Sequence, residues 1–285
     1  MVAANLTELF STLITGLHIL HYNGVLDAYG HMSVRNPNNA SNFFMSRNLA
    51  PALVANTSDL VEYQVSNAEP VDPNAPGGFI ERYIHSELLK RFPNISSVVH
   101  SHSPEVIPYS ISGVPLRPSI HMAGFLGETV PVFNITQYYN STSQQDILIR
   151  TQSLGADFAA SFSSPTPIPN ATQTEADYAV VLMQNHGFTT VASSIQLAVM
   201  QAIYTQINAG IQTTALTIRN AYPGAKNDGR AGLAYLTSQQ TVQSWMTMTG
   251  TADRPWGLWK HEVESSSLYQ NLLDQNQTAP ASPLL

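Results

Sequence analysis

The chain has 285 residues, enough for one large domain or two small ones, and 43% of them are apolar. Charged residues make up only 11%, the formal net charge is -7 and three residues are lysine, so we expect neither a nucleic-acid nor an anionic-membrane partner. No apolar stretch reaches the length of a membrane span, and cysteine is absent, which leaves histidines and carboxylates to hold any metal.

The first residues predict a helix followed by a hairpin. Leucines recur at helical spacing over residues 6–22, and an Asn-Gly pair ends the pattern. Residues 29–35 and 42–47 then predict two strands joined by a Pro/Asn turn. Arg47 closes the second strand, where it is either a surface charge or a guanidinium fork that binds a carboxylate.

A predicted helix over residues 79–92 runs directly into the stretch SSVVHSHS, residues 96–103. Alternate side chains of a strand share a face, so His100 and His102 are expected to point the same way. Two imidazoles on one side of a rigid strand suit a metal site, although the same pair can be two polar residues at a strand end. Because the helix and the strand must pack as neighbours, Glu81 can lie near both histidines.

The second half of the chain predicts a succession of short elements. In order, they are a short helix (104–113), an irregular segment (114–127), a strand (130–133), a helix (144–160), a Pro-rich loop (163–174), a long helix that ends near residue 220 and a helix (237–248). Strands over residues 178–183 and 188–192 flank a tight Asn-His-Gly turn that carries His186. Since no domain boundary is evident, residues 1–264 are predicted to form a single domain, and residues 265–285 an extension with a disordered end.

Eight N-x-[ST] triplets, the acceptor sequence for N-glycosylation, bear on the cellular compartment in which the protein works. They begin at Asn5, Asn39, Asn56, Asn94, Asn134, Asn140, Asn170 and Asn276. Used as glycosylation sites, they indicate a secreted glycoprotein, and the lack of cysteine and the shortage of lysine agree with that hypothesis. A chain rich in Asn, Ser and Thr also produces such triplets by chance. We expect the secretory pathway, with any signal peptide already removed; a cytoplasmic location is the alternative.

Five segments, taken together and in order, resemble the class II aldolase/adducin family. They are GHMSVR (30–35), FMSRNLAP (44–51), FIERYIHSELLKRFPNISSVVHSHS (79–103), HMAGFLG (121–127) and MQNHGFTTVASSIQLA (183–198). The resemblance covers most of residues 6–264. It implies an α/β fold, a single three-layer α/β/α domain with a central, largely antiparallel sheet, assembled as a homo-oligomer that is usually a tetramer.

The resemblance also implies a metal centre. Enzymes of the family hold a divalent metal, usually Zn²⁺, with a Glu on the helix, the H-x-H pair and a later His. In this sequence those roles fall on Glu81, His100, His102 and His186. Three imidazoles and one carboxylate suit Zn²⁺, with Mn²⁺ or Co²⁺ as alternatives.

The departures from the family pattern concern the substrate. Phospho-sugar aldolases of the family bind the substrate phosphate with a Ser pair just before the metal-binding Glu, where this chain has Phe79 and Ile80. It has Arg47 where they have Gly, and His31 where Asn is common. The chain therefore resembles the branch that handles carboxylated, non-phosphorylated substrates, including decarboxylases of aromatic or keto acids.

We accordingly expect a metal-dependent lyase, a decarboxylase or aldolase that acts on a hydroxy, keto or aromatic acid through a metal-stabilised enolate or enediolate. Glu81 is expected to serve as a base, and His31 and His121 to transfer protons. Substrate contacts are expected from Arg47, Ser46, Phe79, His85 and Trp256. His85 can instead orient a ligand. Trp256 is expected to cover the site of a neighbouring subunit, and alternatively it packs the C-terminal element. Two other classes stay open: a metal-dependent epimerase, dehydratase or cyclase in natural-product assembly, and a non-catalytic, adducin-like interaction module.

Overall fold

The computed structural model describes residues 3–165, 173–226 and 232–274. The helices are α1 (Leu6–Tyr22), α2 (Arg82–Arg91), α3 (Ile107–Ile111), α4 (Gln152–Ala160), α5 (Ile195–Ala221), α6 (Ser238–Thr249) and α7 (Asp253–Glu264). The strands are β1 (His31–Arg35), β2 (Asn42–Ser46), β3 (Leu60–Gln64), β4 (Ser97–Ser101), β5 (Val132–Phe133), β6 (Val180–Met183) and β7 (Gly187–Ala192). Every helix within these ranges is too short or too polar to cross a lipid bilayer.

In the described part of the chain, seven strands form one sheet in the order β3-β2-β1-β4-β7-β6-β5. All neighbouring pairs are antiparallel except β5 and β6, which are parallel. The predicted hairpin of β1 and β2 and the predicted pair of β6 and β7 are both present. The H-x-H strand, β4, lies in the middle with a hydrogen-bonded neighbour on each side, so its backbone is held firmly.

Two apolar cores cover the two faces of the sheet. Val99 of β4 belongs to the core that includes residues of α1 and α5, whereas Val98 belongs to the core that includes residues of α2 and α4. Burying an aliphatic side chain fully stabilises the fold by about 1.5–3 kcal/mol, whereas a surface ion pair adds about 0–1 kcal/mol. The two cores therefore contribute more to the free energy of folding than the surface ion pairs do. The predicted three-layer α/β/α fold is confirmed. Since side chains alternate along a strand, His100 faces the α2 side together with Val98.

Two predicted helices begin later than expected. The helix predicted over residues 79–92 starts at Arg82, so Glu81 is its N-cap residue and lies outside the helix. The helix predicted over residues 144–160 starts only at Gln152, where the Thr151 side chain accepts a hydrogen bond from the Leu154 N–H. Residues 144–151 are not helical, because Ile147 has a φ of 68°, which a right-handed helix excludes.

The segment after α7 folds back onto α1. The Tyr269 hydroxyl is hydrogen-bonded to His21 Nδ1 at 2.9 Å, and the Asn271 amide donates to Ser11 O and Thr15 Oγ1. The predicted extension is therefore packed on the domain as far as residue 274. Its predicted disordered end lies outside the described residues, as does the middle of the predicted Pro-rich loop.

The N-x-[ST] triplets have a structural use. In five of them the Asn side-chain oxygen accepts a hydrogen bond of 2.7–3.2 Å from the backbone N–H two residues later, which makes an Asx turn. These five begin at Asn5, Asn39, Asn56, Asn134 and Asn140. The turn explains an Asn at these positions without glycosylation. Glycosylation and a secretory location stay predictions.

Candidate metal centre

Four side chains converge at one end of the sheet. They are Glu81 before α2, His100 in β4, His102 just after β4 and His186 in the turn before β7. The Nε2 atom of His102 lies 3.1 Å from His100 Nε2 and 3.2 Å from His186 Nε2. The Oε2 atom of Glu81 lies 3.4 Å from His186 Nε2 and 3.6 Å from His100 Nε2. Four potential ligand atoms thus face a common point.

The turn that carries His186 is tight for a local reason. Asn185 adopts a φ of 59°, a left-handed conformation that Asn tolerates better than most residues, and the His186 N–H donates to Met183 O at 3.1 Å. The strands before and after the turn, β6 and β7, pair with each other in the sheet. His186 is therefore held at a fixed place opposite the end of β4.

In two of the imidazoles the second ring nitrogen, Nδ1, is hydrogen-bonded to an acceptor group. His102 Nδ1 is 3.2 Å from a carboxylate oxygen of Asp27, and His186 Nδ1 is 3.1 Å from the carbonyl oxygen of Ile147. A carboxylate and a carbonyl only accept hydrogen bonds, so Nδ1 carries the proton in both rings. Each Nε2 atom then presents a lone pair to the common point.

His100 has the same arrangement. Its Nδ1 is 3.1 Å from Thr189 Oγ1, and the Thr189 hydroxyl donates to Met183 Sδ at 3.5 Å, so this hydroxyl accepts from His100. In their neutral forms the three imidazoles therefore all turn an unprotonated Nε2 toward the centre.

Glu81 is oriented by a segment that the sequence analysis predicted to be helical. Its Oε1 accepts a hydrogen bond of 2.9 Å from the Ile149 N–H, which leaves Oε2 for the centre. Two residues earlier, the Ile147 carbonyl accepts from His186. A positive φ is strained for a β-branched residue such as Ile147, and strain of this kind clusters at functional sites. A helix over residues 144–151 would direct both backbone groups elsewhere.

The four donors fit a divalent cation. Three lone pairs and a carboxylate oxygen that face one point repel one another unless a cation lies between them. A tetrahedral site with ligand distances of about 2.0–2.2 Å has edges of about 3.3–3.6 Å. Four of the six separations between the donor atoms are 3.1, 3.2, 3.4 and 3.6 Å, and all four atoms lie within 4.8 Å of one another. The donor set and its spacing thus suit Zn²⁺, and the borderline donors also accept Mn²⁺ or Co²⁺.

The surroundings shift the pKa values of two of the imidazoles in opposite directions. Burial, followed by the neighbouring imidazoles of His186 and His31, holds the pKa of His100 well below its ordinary value, so His100 is neutral as a ligand must be. Burial also lowers the pKa of His186, but the Glu81 carboxylate and the Ile147 carbonyl outweigh it and raise that pKa. Below this raised pKa His186 carries a second proton on Nε2, which a metal must displace, so the metal affinity falls as the pH falls.

Asp27 is a residue of the centre that the sequence analysis missed. It accepts hydrogen bonds from the Tyr29 and Gly30 N–H groups and from His102 Nδ1. The two backbone bonds fix the carboxylate, which in turn fixes the ring of His102. The only sequence signal is an Asp two residues before a Tyr-Gly pair, which is typical of an ordinary Asx turn.

We expect Asp27→Asn to lower metal affinity about 10–100-fold, because an amide is a weaker acceptor for the His102 N–H than a carboxylate. Metal content measured by mass spectrometry during dialysis against graded chelator checks this. Asp72→Asn is the matched control, since Asp72 forms an exposed Asx turn with Asn74. If both variants retain metal equally well, Asp27 does not support the centre.

A largely apolar pocket opens beside the four donors. Its walls include Tyr29, Phe79, Ile80 and Leu148, and His31, Glu81 and His102 line the side toward the centre. The rings of His31 and Phe79 are in contact, with centroids 4.7 Å apart. Within the described ranges, neither Lys nor Arg lines it.

The structure brings some predicted residues to this pocket. Glu81, His31 and Phe79 line it, and His85 lies behind His31, with His85 Nε2 2.7 Å from His31 Nδ1. Arg47 is adjacent in sequence to the lining residue Asn48, but its guanidinium is ion-paired with Asp59 at 3.1 Å. The predicted grip of Arg47 on a substrate carboxylate stays a prediction, and the structure gives that charge another partner.

Three predicted residues do not line this pocket of the chain, and their substrate contacts stay predictions. Ser46 shares its strand face with Phe44, which belongs to the α1 and α5 core, so Ser46 faces away from His100. His121 is exposed at the start of a 3-10 helix that packs against α5 and α6. Trp256 packs against the α1 and α5 core, as the alternative for that residue predicted.

Comparison with known proteins assigns the family. Residues 13–213 match the family model of the Class II Aldolase and Adducin N-terminal domain. The decarboxylase tropJ of Talaromyces stipitatus is 48% identical over 92% of this chain and 96% of its own length. The 3,4-dihydroxyphthalate decarboxylase of Arthrobacter keyseri is 25% identical over 86% of this chain and 88% of its own length.

Solved structures share the fold. An aldolase II superfamily protein from Pseudomonas syringae superposes with a TM-score of 0.67 at 19% identity, over 94% of this chain and 96% of that one. L-fuculose 1-phosphate aldolase from Glaciozyma antarctica gives 0.64 at 18% identity, over 93% and 92%. With relatives that are decarboxylases, the chain is an enzyme of the lyase type. It belongs to the class II aldolase and adducin family, as the five sequence segments predicted.

Proposed function

We propose that this chain is a divalent-metal-dependent decarboxylase of a hydroxylated aromatic acid. The observation that carries the proposal is the position of the four donors at one side of an apolar pocket with aromatic walls. A catechol-like pair of oxygens can reach such a centre while its ring lies against Tyr29 and Phe79. The name of the Arthrobacter keyseri relative, a decarboxylase of 3,4-dihydroxyphthalate, supports the same substrate class.

The pocket disfavours a phosphorylated substrate. Phe79 and Ile80 stand where the related sugar-phosphate enzymes have two serines, and a phosphate placed against them would lose its hydration without gaining donors. A carboxylate against the same apolar wall is also poorly solvated. Its loss as uncharged CO₂ removes that penalty, so the environment favours decarboxylation over retention of the acid.

The chain's own residues set up the reaction. Glu81, His100, His102 and His186 would hold the metal, which when bound supplies Lewis-acid stabilisation of negative charge on substrate oxygens. Asp27, Thr189 and the Ile147 carbonyl keep the three imidazoles in place. Zn²⁺ is the proposed metal, with Mn²⁺ or Co²⁺ as alternatives.

Assembly as a homo-oligomer is also part of the proposal. The second half of α5 and its C-cap residue carry a row of exposed apolar side chains: Ile207, Ile211, Ile218 and Tyr222. Ile207 and Ile211 are 40% and 39% exposed, so these side chains are available for packing against another subunit. Light scattering of the purified protein measures the state, for which the resemblance implies a tetramer.

The reaction is tested by measuring CO₂ release. We expect purified protein loaded with Zn²⁺ to release CO₂ from 3,4-dihydroxyphthalate or a related dihydroxybenzoate, and from no sugar phosphate. Chelator should abolish the release and added Zn²⁺ should restore it. If the product mass always equals the substrate mass, the lyase reaction is not the one catalysed, and an epimerase or cyclase takes its place. If chelator does not change the rate of CO₂ release, the proposed metal dependence is contradicted.

A further inference from the structure

Behind the pocket, three buried side chains form a hydrogen-bonded line. His31 Nδ1 lies 2.7 Å from His85 Nε2, and His85 Nδ1 lies 2.7 Å from Ser33 Oγ. His31 and Ser33 are two residues apart on β1 and share a face, while His85 comes from α2. All three are at most 1% exposed, so each proton in the line has a defined place.

The serine fixes the direction of the line. In the described part of the chain, His85 Nδ1 is the one hydrogen-bond partner of Ser33 Oγ. If the hydroxyl accepted from His85, its own proton would be buried without an acceptor, which is the costlier outcome for a polar group. The Ser33 hydroxyl therefore donates, and His85 Nδ1 is the acceptor.

The direction of the hydrogen bond between Ser33 and His85 also determines the direction of the bond between His85 and His31. Burial lowers the pKa of His85 to about 3, so the ring is neutral and carries a single proton. Because Nδ1 accepts from Ser33, that proton lies on Nε2, which donates to His31 Nδ1. A neutral His31 whose Nδ1 accepts must in turn carry its own proton on Nε2.

We infer that His31 offers an Nε2–H donor to an anionic oxygen of the substrate, and that Ser33 and His85 are positioning residues that hold His31 in this tautomer. His31 lines the pocket next to the centre, with its ring 4.9 Å from that of His100. The inference rests on the proposed function, since a hydroxylated aromatic acid supplies such an oxygen as a phenolate or carboxylate. It also revises the expected role of His31. A general base needs a lone pair at the atom that faces the substrate, and this tautomer places a proton there.

The tautomer can be measured without any turnover. Nitrogen-15 NMR of the Zn²⁺-loaded protein with labelled histidine distinguishes protonated from unprotonated ring nitrogens, and His31→Gln assigns the signal. We expect His31 to be protonated at Nε2 alone. A His31 protonated at Nδ1, or at both nitrogens, overturns the inference even if the protein releases CO₂. The expected tautomer in a protein that releases no CO₂ leaves the donor in place and rejects the proposed substrate.

Variants of the two positioning residues test the consequence for binding. Ser33→Ala and His85→Leu should weaken binding of a catechol-type acid about tenfold or more while the metal content stays at the wild-type level. His85→Gln should recover most of the affinity, because its amide N–H₂ can donate to His31 Nδ1 as His85 Nε2 does. Ser86→Ala, a buried serine beside His85 on α2, is the control.

Two outcomes contradict the role of the line. Equal losses in His85→Gln and His85→Leu show that His85 acts by packing. Unchanged binding in Ser33→Ala, with the Nε2 tautomer also unchanged, shows that the serine does not set the direction. If Ser33→Ala fails to fold, the NMR measurement on the wild-type protein decides alone.

Discussion

His102→Ala is expected to abolish metal binding and CO₂ release together. His102 Nε2 is 3.1 Å and 3.2 Å from the Nε2 atoms of His100 and His186, so its removal opens one corner of a four-donor site. The loss should exceed the roughly 100-fold upper limit for residues that only support a ligand. Metal content by mass spectrometry and CO₂ release under saturating substrate measure both effects in one preparation.

The control for this prediction is His261→Ala. His261 is an exposed histidine of α7, so this variant carries the same type of substitution at a position outside the metal centre. We expect wild-type metal content and activity from it. A His102→Ala protein that still binds one equivalent of metal, or that keeps its activity, would remove His102 from the ligand set. Circular dichroism of both variants separates the loss of metal from the loss of fold.

The part of the centre that the sequence predicted depends on periodicity and resemblance. Alternation along β4 predicted that His100 and His102 share a face, and the helix that precedes the strand predicted that Glu81 lies close by. His186 was identified by the resemblance to the family. The structure places these four side chains together because β4, β7 and the start of α2 meet at one end of the sheet.

The supporting residues could not be predicted, for a physical reason. Asp27, Ser33 and the backbone of residues 147–149 act through hydrogen bonds to side chains that are distant in the sequence. No periodic pattern marks such contacts. The apolar residues of 144–151 instead resemble the start of an amphipathic helix, and only the positive φ of Ile147 shows that tertiary contacts outweigh this local preference.

Arg47 illustrates a related difficulty. The sequence left two roles open for Arg47, a surface charge or a guanidinium fork that binds a substrate carboxylate. The structure pairs it with Asp59, whose carboxylate also accepts from the Ala55 and Asn56 N–H groups. Which acidic side chain approaches Arg47 depends on the path of the loop after β2, and composition carries no information about that path.

Gly187→Ala is expected to lower the free energy of unfolding by about 3 kcal/mol or more, at the upper end of overpacking effects. A Cβ atom at residue 187 would lie 1.9 Å from the carbonyl oxygen of Ser101, and both groups belong to the backbone of the paired strands β7 and β4. Neither can move aside like a flexible side chain. The strands must separate, which also shifts His186 and His102, so metal affinity should fall with stability.

Urea denaturation of the metal-free protein measures the stability change, and chelator competition measures the change in metal affinity. Gly257→Ala is the matched control, because a Cβ at this exposed position of α7 meets nothing within 4 Å. Replacing a helical glycine by alanine there should stabilise the protein by about 0.5–1 kcal/mol. If Gly187→Ala is as stable as the wild-type protein, the ends of β4 and β7 do not approach this closely. His186 would then lack the fixed position opposite His102 on which the metal centre depends.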